Sequence, residues 1–134
     1  MNFLIVEDEE QAAKRLKRMI SSLVPDAFIH GPCESIEEAV QWLSENPKPD
    51  LAFFDIHLAD GLSFEIGEKV EVSCPIIFTT AYDQYAIRAF KLNSVDYLLK
   101  PIGEEDLSGA IEKFKSQFLN HPVKVFGNEW PAQI

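Results

Sequence analysis

The sequence predicts an α/β fold, one five-stranded parallel sheet with helices on both faces. Two observations carry the prediction. Five short apolar runs alternate along the 134 residues with stretches whose apolar positions recur at helical spacing. One of those runs, Leu51-Ala52-Phe53-Phe54, is apolar at consecutive positions, as in a strand buried on both sides. Parallel strands need long crossovers, and the intervening helical stretches supply them. A chain of this length with 46% hydrophobic residues builds one core and has no room for a second domain of ordinary size.

Taken in order, Phe3-Leu4-Ile5-Val6 is the first strand and ends on Glu7-Asp8-Glu9-Glu10. Ala12, Leu16, Met19, Ile20 and Leu23 then share one helical face, with Lys14, Arg15, Lys17 and Arg18 on others, and Pro25 stops the helix. Ala27-Phe28-Ile29-His30-Gly31 reads as the second strand. Ser35-Ile36-Glu37-Glu38 is a capping-box pattern that opens a helix carrying Ile36, Ala39, Val40 and Leu43, closed by Asn46-Pro47-Lys48-Pro49. The third strand delivers Asp55. A turn at Leu58-Ala59-Asp60-Gly61-Leu62 precedes a weaker helical pattern through Phe64, Ile66 and Val70.

The fourth strand, Pro75-Ile76-Ile77-Phe78-Thr79-Thr80, ends on hydroxyls, and a helix from about Asp83 places Tyr85, Ala86, Ala89 and Phe90 on one side. Val95-Asp96-Tyr97-Leu98-Leu99 is the fifth, ending at Lys100-Pro101, and Leu107, Ala110, Ile111, Phe114 and Phe118 mark the last helix. The strand order expected of such a chain is 2-1-3-4-5, the flavodoxin-like arrangement. The domain is expected over residues 1–119, with 120–134 a tail or the start of a linker to an absent C-terminal effector domain.

A formal charge of −10 and a pI near 4.6 repel phosphate backbones and anionic lipid, so partners are expected to be proteins or cations rather than nucleic acid or membrane. Cys33 and Cys74 are too few for a disulfide framework and lack metal-ligand spacing, which suggests two buried thiols in a reducing compartment. With no membrane-length apolar run and no secretory signal, the expected location is cytoplasmic. No Gly-x-Gly-x-x-Gly or Gly-Lys-Ser/Thr loop follows the first strand, which removes the main support for a nucleotide site.

In open α/β sheets the ligand crevice lies at the carboxyl ends of the strands. There this sequence places Glu7 and Asp8, Asp55, Thr80 and Lys100. Each has an ordinary reading: Asp55 as a helix cap, Glu7 and Asp8 as acids favouring a helix start, Thr80 as a strand residue, Lys100 as an exposed lysine. Four strand ends supplying complementary groups on one edge make a joint reading more economical. Clustered carboxylates repel each other, and a hard divalent cation, Mg²⁺, relieves this while leaving a coordination position for a phosphoryl oxygen. Asp55 then offers a nucleophile, and Lys100 and Thr80 offer charge and hydrogen-bond stabilisation, which is the equipment for phosphoryl transfer.

Glu7-Asp8, Asp55, Thr80-Ala81, Tyr97 and Lys100-Pro101, matched from Phe3 to about Phe118, resemble a response regulator receiver domain. The run from Phe78 to Ala86, Ala89-Phe90 and the run from Asp96 to Pro101 are similar to receivers of LytTR-type transcription regulators. The resemblance implies that Asp55 accepts a phosphoryl group from a sensor histidine kinase. Mg²⁺ would be held by Asp8, Asp55 and the backbone carbonyl of His57, with Glu7 acting through water. It also implies that Thr80 and Tyr97 switch together, remodelling the face of helix four, strand five and helix five toward homodimerisation, with Tyr85, Phe90 and Lys91 as candidates on that face. DNA would be contacted only through the absent domain. The loop from Asp55 to Gly61 lacks the Met-Pro common in receivers, which leaves the start of helix three open. His57 and Tyr82 occupy positions that tune aspartyl-phosphate hydrolysis in the family, and their bulk suggests slow hydrolysis. Such a chain is a phosphoacceptor and no conventional enzyme. The competing readings are a phosphorylation-independent binding module, which would lose one of these groups, and an aspartyl-phosphate hydrolase, which would want an acid where His57 stands.

Overall fold

In the computed structural model, which describes residues 1–91 and 94–119, five strands form one parallel sheet. They are β1 (Asn2–Val6), β2 (Phe28–Cys33), β3 (Leu51–Asp55), β6 (Ile76–Thr80) and β7 (Asp96–Leu99), in the order β2-β1-β3-β6-β7. A small antiparallel hairpin, β4 (His57–Leu58) with β5 (Gly61–Leu62), is inserted after β3. Counting only the sheet strands, this is the expected 2-1-3-4-5 order. The helices are α1 (Glu10–Leu23), α2 (Ile36–Glu45), α3 (Ile66–Lys69), α4 (Ala86–Lys91) and α5 (Glu104–Phe114), the last followed by a π-type turn, Lys115–Leu119. Residues 120–134 of the expected tail lie outside the described residues.

Period-two alternation explains why β3 can be apolar at consecutive positions. Phe53 turns to one face, where Phe3, Ile5, Ile77 and Leu98 meet α1 and α5 through Leu16, Ile20, Leu107, Ile111 and Phe114. Phe54 turns to the other, where Leu4, Val6, Ile76 and Phe78 meet Ile36, Ala39, Phe64, Ile66 and Ala89. Each face has its own aromatic cluster: Phe3 edge-on to Phe53 and Phe114, and Phe78 against Phe54 and Phe64. Cys33 and Cys74 are both buried and free, and burial pushes their thiols up to about 11 and about 12.

The structure departs from expectation chiefly after β3. The expected turn at Leu58–Leu62 falls in the β4–β5 hairpin, while the weak helical pattern through Phe64, Ile66 and Val70 becomes a 3₁₀ turn (Ser63–Glu65) and a single α-helical turn that ends before Val70, whose backbone is extended (φ −147°). Gly67 inside the short helix and β-branched Val70 and Val72 beyond it weaken helix formation, and Val72 is buried. α4 likewise opens on a 3₁₀ turn, Asp83–Tyr85. β2 runs two residues beyond its expected end, to Cys33, with an irregular register beside β1. The extension matters because the Cys33 carbonyl accepts the Glu7 backbone N–H at 2.8 Å.

Gly31 makes that extension possible. It has φ +99°, and a Cβ there would stand 2.5 Å from the Ile5 carbonyl oxygen. Gly31→Ala is therefore expected to destabilise the chain by about 2 kcal/mol or more, seen as a lower urea midpoint. An unchanged midpoint would mean that the β1–β2 register relaxes freely.

The capping-box pattern before α2 is used in altered form. Ser35 Oγ accepts from Glu38 N at 3.0 Å, but the Glu38 carboxylate takes the N–H of Glu34 (2.7 Å) rather than that of Ser35. Two further N–H groups of this helix start are taken by Asp60, from the hairpin: Ile36 N at 2.8 Å and Glu37 N at 3.3 Å. These bonds, that from Ile36 foremost, hold the Asp60 carboxyl below its ordinary range.

Candidate functional site

Glu7 follows β1, Asp55 is the last residue of β3, Thr80 the last of β6, and Lys100 follows β7, so the sheet alone brings all four to one edge. Glu7 and Asp55 are almost fully buried, at 3% and 6% exposure, whereas Asp8 is exposed. The Lys100 ammonium donates to Glu7 Oε1 at 2.7 Å and lies 3.3 Å from Asp55 Oδ2. Two buried carboxylates therefore share one cation. The nearer partner is Glu7, a pairing the strand-end pattern does not reveal. The second Glu7 oxygen accepts the backbone N–H of Glu9 at 3.1 Å.

Burial, then the charge of Glu7, raises the Asp55 carboxyl to about 7 against an offset from Lys100. Asp8 is raised for the same two reasons in the same order. Burial alone would lower Lys100, but its bond to Glu7 and the charge of Asp55 outweigh this and leave it raised. The site thus holds more negative charge than it neutralises. Oxygen atoms of Glu7, Asp8 and Asp55 lie within 4.8 Å of one another, and three clustered carboxylates are a suitable donor set for a hard divalent ion.

Thr80 is buried, and its hydroxyl accepts the backbone N–H of Tyr82 at 3.2 Å. The Tyr97 phenol donates to the Tyr82 carbonyl, so both residues named for the switch grip the segment leading into α4. His57 lies in the hairpin. Its Nε2 is 2.9 Å from the Tyr85 phenol, and its ring meets Tyr82 and Tyr85 edge-on. Sequence spacing offered Tyr85 only as part of an outer face. Its bond to His57 spans 28 residues, and no local pattern could signal it. Side chains of Phe90 and Lys91, the other expected members of that face, lie outside what the structure describes. Beside the site, Ala12, Leu16, Met19, Pro101 and Ile102 line a groove of about 390 Å³ that reaches Glu7 and Lys100.

Residues 3–112 match the family model for the response regulator receiver domain. The chain is 40% identical over 116 residues to a sensory transduction protein LytT of Enterococcus faecalis, covering 84% of this chain and 47% of that one. It is 35% identical over 119 residues to a transcriptional regulatory protein LytR of Staphylococcus aureus, covering 87% and 48%. It therefore spans about half the length of these relatives. Among solved structures, the response regulatory domain of mrkE from Klebsiella pneumoniae superposes with a TM-score of 0.77 at 28% identity, covering 87% of this chain and 96% of that one. The non-phosphorylated HemR receiver domain from Leptospira biflexa does so with 0.73 at 26% identity, covering 92% and 98%. No described helix is long and apolar enough to cross a membrane. With fold, strand-end groups and sequence in agreement, the chain belongs to the response regulator receiver domain family and is related to the receivers of LytT and LytR regulators.

Proposed function

We propose that the chain is a phosphorylation-controlled switch in which Asp55 accepts a phosphoryl group from a sensor histidine kinase. The observation that carries the reading is the pairing of a buried, terminally placed Asp55 with Lys100 inside an acidic cluster. An Asp55 oxygen attacks phosphorus as the bond from phosphorus to the donor imidazole breaks. The electron pair stays on that nitrogen, which takes up a proton. Lys100 and the Thr80 hydroxyl stabilise the equatorial oxygens. Asp8, Asp55 and the His57 carbonyl are the proposed holders of Mg²⁺, with Glu7 acting through water; when bound, the ion supplies neutralising charge for the carboxylates and phosphoryl oxygens. The apolar groove beside Lys100 offers the kinase a place to sit.

Output follows from Thr80 and Tyr97, both tied to the segment before α4. A Thr80 hydroxyl drawn to the phosphoryl group moves that segment, Tyr97 turns, and the α4–β7–α5 face changes, favouring a homodimer. Residues 1–119 are the receiver, and residues 120–134 lead toward an effector domain. By likeness to the LytR regulator, that domain is a DNA-binding one, so this acidic half touches neither DNA nor membrane and works in the cytoplasm. The chain acts only on its own Asp55 and turns over no separate substrate.

The test is incubation with Mg²⁺ and a small phosphodonor, or a histidine kinase, followed by intact mass. Wild type is expected to gain one phosphoryl group. An unchanged mass with both kinds of donor would leave only a binding module.

A further inference from the structure

We propose that Tyr85 is a positioning residue for the phosphoryl site: its phenol fixes the His57 imidazole beside Asp55 and so sets how long a phosphoryl group survives there. The role rests on Asp55 being the phosphoacceptor.

β3 and β6 are neighbours, with Asp55 opposite Thr79. Both chains run on past the sheet. Ile56, at the bend that follows β3, is buried, and His57 opens the hairpin two residues beyond Asp55. Tyr82, extended (φ −125°, ψ 135°), stands two residues beyond Thr80 and donates its backbone N–H to the Thr80 hydroxyl. The two rings meet edge-on, 5.0 Å between centroids, each two residues past a strand end that carries a site group.

What keeps the His57 ring in that attitude is Tyr85. Tyr85 makes the 2.9 Å bond to Nε2 and a second edge-on contact at 5.2 Å. Tyr85 in turn leans on Phe64, whose ring carries the Arg88 guanidinium 4.4 Å above it. The other ring nitrogen, Nδ1, is buried and has no hydrogen-bond partner among the described residues. The phenol is thus the polar tether that sets the ring's orientation; without it the imidazole gains by turning to satisfy Nδ1 elsewhere.

Loss of the phosphoryl group requires a water oxygen to attack phosphorus in line with the Asp55 oxygen. The bond from phosphorus to that oxygen breaks, its electron pair returns to the carboxylate, and of the water's two protons one stays on the orthophosphate and the other passes to solvent. A ring fixed past these strand ends narrows the approach of that water, whereas a turned ring opens it.

The full chain, phosphorylated with Mg²⁺ and acetyl phosphate and then freed of donor, is followed by intact mass. Tyr85→Phe is expected to shorten the phosphoryl half-life roughly two- to tenfold, the range expected for one lost hydrogen bond. His57→Ala is expected to shorten it as well, and the double variant to match His57→Ala alone. In the unphosphorylated chain, Tyr85→Phe is expected to move the His57 Nε2 resonance in ¹⁵N NMR, which a remote loss of stability would not do. A phosphorylated Tyr85→Phe that decays like wild type, or effects of the two substitutions that simply multiply, overturns the role of Tyr85 alone. A wild-type chain that takes no phosphoryl group overturns the reading of Asp55 and this proposal with it.

Discussion

Asp55→Asn is expected to have two opposite effects: it abolishes phosphoryl incorporation and makes the metal-free chain more stable at about pH 8. The second follows from what burial and Glu7 do to this carboxyl, which ionises near 3.8 when unfolded and at about 7 in the folded chain. Below about pH 4 it is neutral in both states and contributes no difference. Between that point and about pH 7 the folded state keeps a proton the unfolded state has released, so stability falls as pH rises through this window. Above it the full cost of an ionised, crowded carboxylate remains. The Asn variant lacks that cost. Allowing for Lys100 and partial access of water, the gain is on the order of 2 kcal/mol. Urea unfolding in a chelator at several pH values measures it; a variant no more stable than wild type in mild alkali would show that Lys100 already compensates fully.

Lys100→Met is expected to have an effect of similar size in the opposite direction. It leaves Glu7 and Asp55, both almost fully buried, without the ammonium that lies 2.7 Å and 3.3 Å away. Removing one partner of a buried ionic group costs about 3–5 kcal/mol in fully buried cases, and Lys100 is itself 22% exposed, so roughly 2–3 kcal/mol is expected near neutral pH. The loss should shrink below about pH 7, where the Asp55 carboxyl takes up a proton. It should shrink also with added Mg²⁺, which the variant is expected to bind on the order of tenfold more tightly, since a divalent ion no longer competes with a fixed positive charge. Calorimetric titration of both chains checks this. Unchanged or weaker affinity would indicate that Lys100 does not share carboxylates with the ion.

The legible part of this molecule was the part governed by periodicity. Phe53 and Phe54 read as a doubly buried strand because parallel sheets require it, and Ala12 through Leu23 as a helix because one face is apolar. The order of strands then placed Glu7, Asp55, Thr80 and Lys100 on one edge without any knowledge of side-chain contacts. What stayed hidden depends on contacts distant in sequence or on competition between weak local preferences. The pairing of Lys100 with Glu7 spans 93 residues. The cap that Asp60 lends to α2 spans 24. The stretch from Phe64 to Val70 carries both a faint helical period and β-branched residues, and the hairpin before it left room for only one helical turn.

The sheet divides the hydrophobic interior into two rooms with a wall of backbone between them. Phe114 rests on Phe3 in one, and Phe64 rests on Phe78 in the other. Substitutions in separate rooms share no side-chain neighbours, so their stability effects should add within a few tenths of a kcal/mol. A substitution packed beneath α1 can therefore leave the packing behind α4 unchanged. One half of the interior can thus be repacked while the other keeps its contacts.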